Sequence, residues 1–155
     1  MSQRTIRPEL YEAKARGLHN IGEAAALSGV SAKMIRHYEA TGLIPPANRT
    51  YANYRLYSEA DLHRLRFIRR SRTLGFSMKQ IEQLLGLWSD PGRSSAEVKT
   101  LALAHAADLE ARIREMQAMQ RTLESLARHC HGDQRPDCPI LDDLAGGETP
   151  QPARR

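Results

Sequence analysis

The chain has 155 residues, 41% of them hydrophobic, which is room for one domain, or a small domain with an appended helical element, around an ordinary core. It holds no apolar run of the ~18 residues a membrane span needs, and its start, MSQRTIRPELYEAKARGL, lacks the apolar centre of a secretory signal, so a cytoplasmic protein with no membrane partner is expected. The net charge of +5 is unevenly shared: residues 1–79 carry 14 Lys and Arg against 6 Asp and Glu, a balance of +8, and residues 80–155 carry 9 against 12, a balance of −3, so one half suits a polyanion.

Residues 1–19 show mixed charge and Pro8 but no sustained period, and are expected to form an arm, either partly helical or disordered. The pattern sharpens at "NIGEAAALSGVSAKMIRHYEATGL": Asn20 caps a first helix, Ser28-Gly29 breaks it, and Ser31 caps a second that runs to Gly42. Two short helices around a tight Gly-containing turn make a helix-turn-helix, whose second helix can enter a major groove. On that helix Lys33, Arg36, His37 and Tyr38 are expected on the outer face. "IPPANRTYANYRLYS" then suits two short strands around a turn, a wing that carries Tyr54 and Arg55. Basic side chains and tyrosine hydroxyls are groups that bind phosphates, so the winged unit is expected to sit on duplex DNA.

Ser58, with Asp61 three residues on, opens a helix whose buried side is Leu62, Leu65, Phe67, Ile68 and Leu74, the remainder being covered by arginines. Gly75 ends it, and Ser77 caps another carrying Ile81, Leu84 and Leu85. "SDPGR" at residues 89–93 is a break, after which a helical pattern runs from Ser94 to about His129, with Val98, Leu101, Leu109, Ile113, Met116, Leu123 and Leu126 on or near one stripe. Such a helix spans roughly 50 Å, more than so small a protein can cover, so a second copy in a two-fold dimer is expected.

The only two cysteines lie in "HCHGDQRPDCP", as Cys130 and Cys138. Four chemistries compete. A tetrahedral zinc site would recruit His129 and His131, but three consecutive residues do not converge easily on one ion. A disulfide is feasible across the loop but unusual in a reducing cytosol. A redox sensor requires low-pKa thiolates. Two thiolates gripping a soft monovalent ion such as Cu(I) need only two sulfurs. No nucleophile-base pair or phosphate-binding Gly loop stands out, and His19, His37, His63 and His105 are scattered, so no enzyme is expected.

The run from "IGEAAALSGVSAKMIRHYEATGLI" through "NYRLY" to "LGFSMKQI" resembles the DNA-binding half of the MerR family of transcription regulators, and "C-x7-C-P-I" resembles its copper-efflux-regulator (CueR-like) branch; the likeness covers residues 20 to about 145. The resemblance implies a mainly α fold: a winged helix-turn-helix DNA-binding domain at 20–90, a long dimerisation helix at 91–129 forming an antiparallel coiled coil in a homodimer, a metal-binding loop and short helix at 130–146, and a disordered tail at 147–155. It implies Arg36, Tyr38, Tyr54 and Arg55 as DNA-backbone contacts, with Lys33 and Arg49 as further ones. It implies Cys130 and Cys138 as the metal thiolates. In divalent-metal relatives the start of the long helix brings a third cysteine from the other subunit; here Ser95 stands at that position, which points to two-coordinate Cu(I), or Ag(I) or Au(I).

The resemblance further implies a metal-switched activator. It sits on a promoter whose spacer is too long for RNA polymerase, and the metal-bound dimer bends and undertwists the DNA into register, turning on copper, silver or gold efflux and detoxification genes. The same-fold alternatives are a redox sensor or a divalent-metal sensor. Two features depart from the family pattern: the first 18 residues precede its usual start, and "GGETPQPARR" lacks the Cys and His some copper regulators carry there. His129 and His131 are less expected beside Cys130, and a tuning role stays open.

Overall fold

The computed structural model describes residues 9–134 and 137–146, so the tail from 147 and the first eight residues of the arm lie outside the described residues. The order is α1 (Leu10–Ala15), α2 (Ile21–Ser28), α3 (Ala32–Ala40), β1 (Asn48–Arg49), β2 (Arg55–Leu56), α4 (Glu59–Thr73), α5 (Met78–Ser89), α6 (Ser95–His129) and α7 (Pro139–Leu144), a mainly helical chain with one small wing. It divides into two compact units, Met1–Val98 and Lys99–Arg155.

Caps set the bounds in the first unit. Asn20 Oδ1 accepts the Glu23 N–H at 2.8 Å and starts α2, and Ser31 Oγ accepts the Met34 N–H at 3.2 Å and starts α3. The turn between them needs Gly29, whose φ is +72° and whose added Cβ would run into the Arg69 guanidinium. Ser58 with Asp61, and Ser77 with Gln80, form complete capping boxes at α4 and α5.

β1 and β2 pair antiparallel, with Asn48 opposite Leu56 and Arg49 opposite Arg55. Thr50 is buried and ties their turn together: its N–H donates to Tyr54 O at 2.8 Å, and its Oγ1 accepts the Tyr54 N–H at 3.0 Å. Asn53 takes the left-handed conformation that the turn requires, at φ +71°.

Ala24, Ile35, Tyr38, Ile44, Tyr57, Leu62, Leu65, Ile68 and Ile81 form the core. α2 packs on α3 and α4, and α4 on α5; Phe67 and Trp88 stack with centroids 5.0 Å apart. The stripe expected on α4 holds except at Leu74, which is 46% exposed because the helix stops at Thr73 and its period stops there too. The described part of the arm, from residue 9, is helical at α1, one of the two states expected of it. Ala13 of α1 is fully buried, and His19 exchanges two backbone hydrogen bonds with Tyr57, both 2.8 Å, which ties the arm's end to the strand that leaves the wing.

α6 runs 35 residues without interruption. Leu109, Met116 and Leu123 recur every seven residues along it and, with Ile113 and Met119, are between 36% and 67% exposed. No helix among the described residues is long and apolar enough to cross a membrane.

Candidate nucleic-acid interface and metal site

α3 has two unlike faces. Lys33, Arg36 and His37, spaced i, i+3 and i+4, are exposed, while Ile35 and Tyr38 are buried. The expected outward Tyr38 is therefore corrected: it lies three residues from Ile35, on the core side, and is 2% exposed. Its hydroxyl accepts a hydrogen bond from Arg72 Nη1 at 2.9 Å. Two further arginines of α4 brace the same unit, Arg66 donating from Nε to Leu27 O at 3.3 Å and Arg69 lying against Gly29. In sequence these arginines read only as a charged helix face.

The wing presents Tyr54, 64% exposed, with Tyr51 beside it. Arg49 is half-buried and donates from Nη1 to Asn53 O at 3.1 Å, which holds its guanidinium along the hairpin. Arg55 is half-buried and donates from Nε to Glu39 Oε2 at 3.0 Å. Glu39, which the sequence reading did not single out, also accepts the Tyr57 hydroxyl at 3.3 Å and the Ala47 N–H at 3.2 Å. Burial, and after it the charge of Glu39, pushes the Tyr57 hydroxyl up to about 12. One signal for Glu39 was available: an acidic residue in the last turn of a helix faces the negative end of the helix dipole and needs cationic company.

Both cysteines are free and half-buried. Cys130 directly follows α6, its N–H donating to Ala127 O at 3.2 Å; Cys138 is the N-cap residue of α7, and its carbonyl accepts the Asp142 N–H at 3.0 Å. They thus stand at the two ends of the loop joining the helices, where Gly132 has φ +64°. Pro136, read as part of that loop's bend, lies outside the described residues. His129 turns Nδ1 to Ser125 O at 2.7 Å, which engages that nitrogen with its own helix, and His131 is exposed. Among the described residues no three His, Cys, Asp or Glu side chains gather as a metal cluster. Ser95 opens α6, exposed, in the first compact unit, whereas the cysteines belong to the second.

The comparisons with known proteins agree with this layout. The chain matches the MerR HTH family regulatory protein description over residues 19–87 and the MerR, DNA binding description over residues 62–126. Heavy metal-dependent transcription regulator 2 of Rhizobium meliloti (strain 1021) is 59% identical over 130 residues, covering 84% of this chain and 88% of its own. The HTH-type transcriptional regulator CueR of Escherichia coli O6:H1 (strain CFT073) is 39% identical over 127 residues, covering 82% and 94%. Among solved structures, the transcription regulator PbrR691 from Ralstonia metallidurans CH34, in complex with lead(II), has a TM-score of 0.70 at 36% identity and covers 81% of this chain and 98% of that one. A winged helix-turn-helix, a long helix and relatives that align over most of both chains lead to one conclusion: the protein belongs to the MerR family of helix-turn-helix transcription regulators.

Proposed function

We propose that the protein is a cytoplasmic, homodimeric transcription activator that responds to Cu(I), or to the equally soft Ag(I) or Au(I), and switches on genes for metal efflux and detoxification. The observation that carries the metal reading is that both of the chain's cysteines, free and half-buried, bracket one loop. Two thiolates and no third cysteine suit a soft monovalent ion, and Ser95 supplies a hard oxygen where a divalent site would want another thiol. The names of the relatives, CueR and the heavy metal-dependent regulator, support a metal effector.

In this reading the winged helix-turn-helix domain, residues 20–90, grips promoter DNA. Lys33 and Arg36 of α3 and Tyr54 of the wing reach phosphates directly. Arg49 and Arg55 do so from fixed positions, and Tyr38 acts through Arg72 rather than by touching DNA. Residues 91–129 pair with a second copy through the seven-residue apolar repeat of α6. Residues 130–146 hold the ion, whose bound charge and cross-link draw the two ends of the loop together. Ile140 is half-buried, while Leu141 and Leu144 are 64% and 73% exposed in the single chain, so α7 has apolar surface to dock on the paired helices once the ion is bound. Switching follows when the docked dimer binds bent, undertwisted DNA better than straight DNA, since equal affinity for both would switch nothing. RNA polymerase then engages the realigned promoter.

A divalent ion is the second reading, favoured by the lead(II) complex of PbrR691. The test is transcription in vitro from the promoter the protein selects out of genomic fragments, with reduced protein and Cu(I), Pb(II) or peroxide added separately. Activation by Cu(I) alone, lost in Cys130→Ser and Cys138→Ser, is expected. Activation by Pb(II) alone moves the assignment to the divalent reading, and activation by peroxide without metal replaces both with a redox sensor.

A further inference from the structure

Recognition helix α3 carries an anion, Glu39, in its last turn, where the free carbonyls of a helix C-terminus disfavour one. The side chain is nevertheless only 12% exposed, and both of its oxygens are engaged. Oε1 accepts the Ala47 N–H at 3.2 Å; Oε2 accepts Arg55 Nε at 3.0 Å and the Tyr57 hydroxyl at 3.3 Å. Ala47 leads into β1, Arg55 opens β2 and Tyr57 directly follows it. Three donors spread over the base of the wing therefore converge on one side chain of the recognition helix.

We infer that Glu39 is a positioning residue for DNA binding: by holding Arg55 and the base of the wing against the last turn of α3, it fixes the spacing of the two surfaces that engage one duplex. This rests on the reading above that Arg55 contacts the DNA backbone. The requirement is specific at the level of atoms. All three partners donate, so the site needs a group that only accepts, and an ionised carboxylate is such a group. Glutamine keeps the shape but must turn its NH2 either on the Ala47 N–H or on the Arg55 and Tyr57 donors. Tyr57 stays a donor through the physiological range, since burial and the Glu39 charge push its hydroxyl up to about 12.

Charge alone argues for the opposite effect. An acidic group beside a DNA-facing surface repels phosphates, so a Glu39 without a positioning role would, when neutralised, leave the protein binding DNA more tightly. The sign of the effect therefore separates the two roles.

The test uses the full chain and the tightest duplex that the wild-type protein selects from a random-sequence pool, with affinity measured against salt concentration. Arg55→Ala is the reference, expected to weaken binding and to reduce the slope of log affinity against log salt by about one unit. Glu39→Gln is expected to weaken binding about tenfold with the same loss of slope, yet to change affinity less than about twofold when added to Arg55→Ala. Tyr57→Phe, which leaves the Arg55 pair intact, keeps the wild-type slope. If Glu39→Gln does not fold, Glu39→Asp, an acceptor on a shorter stem, is read in the same way. Tighter binding, an unchanged slope, or an equal loss in the Arg55→Ala background overturns the positioning role. A wild-type slope for Arg55→Ala overturns the contact itself, and the two failures are thus distinct.

Discussion

Tyr57 shows how much a single hydroxyl can depend on its surroundings. Its ordinary value of 10.0 is raised to about 12 in the fold, first by burial and then by Glu39. Between these two values the unfolded chain loses the proton while the folded one keeps it, so deprotonation favours unfolding. The stability that Tyr57 contributes is therefore fully present below pH 10 and is lost as pH rises from 10 toward 12. Urea unfolding at stepped alkaline pH should show that decline, and Tyr57→Phe should flatten it. Residues of this kind were the least legible in the sequence. Glu39 meets Arg55 and Tyr57 across 16 and 18 positions of chain, a separation no local pattern encodes. Tyr38 was misplaced because "IRHYE" reads as a basic and aromatic cluster, and the three-residue step back to Ile35, which sets its face, is the weaker signal. Cys130 and Cys138 stood out because they are the chain's only cysteines and lie eight positions apart.

At the scale of elements the caps carried most of the information. Asn20, Ser31, Ser58 and Ser77 each cap the helix that local chemistry assigns them, since a cap needs only neighbours within three residues. The helix-turn-helix turn depends on Gly29 for its positive φ; a Cβ there would also displace the Arg69 guanidinium, the movable end of a flexible side chain. Gly29→Ala should cost at least 1–2 kcal/mol of unfolding free energy, more than the ~1 kcal/mol expected for Ser31→Ala, by chemical denaturation. Where an element rests on tertiary contacts more than on a local pattern, sequence told little. α1 has six residues and one buried side chain, Ala13, so its period is too short to read, and the two-residue strands are defined by Thr50 and Asn53 rather than by alternation.

At the scale of the whole molecule, the apolar repeat on α6 is the observation that most supports the proposed dimer. Leu109, Met116 and Leu123 lie at seven-residue intervals with more than a third of their surface exposed, and the dimer proposed above removes that surface from water. Light scattering of the wild type should give twice the 17.4 kDa of one chain. Met116→Glu, which places a charge in the centre of the repeat, should shift it toward one chain and weaken DNA binding by at least tenfold, because two half-sites are then no longer bound together. A dimeric Met116→Glu protein would show that α6 pairs through another face.

The metal assignment is the claim on which the regulatory reading turns, and stoichiometry tests it most directly. Reduced protein is titrated anaerobically with Cu(I) against a strong Cu(I) chelator, alongside Zn(II) and alongside Cys130→Ser. The expected result is tight binding of one Cu(I) per subunit, lost in the variant, with Zn(II) unable to compete. Cu(I) binding that survives the loss of Cys130, or Zn(II) binding of equal strength, would contradict the two-thiolate site and make His129 and His131 the ligands to examine.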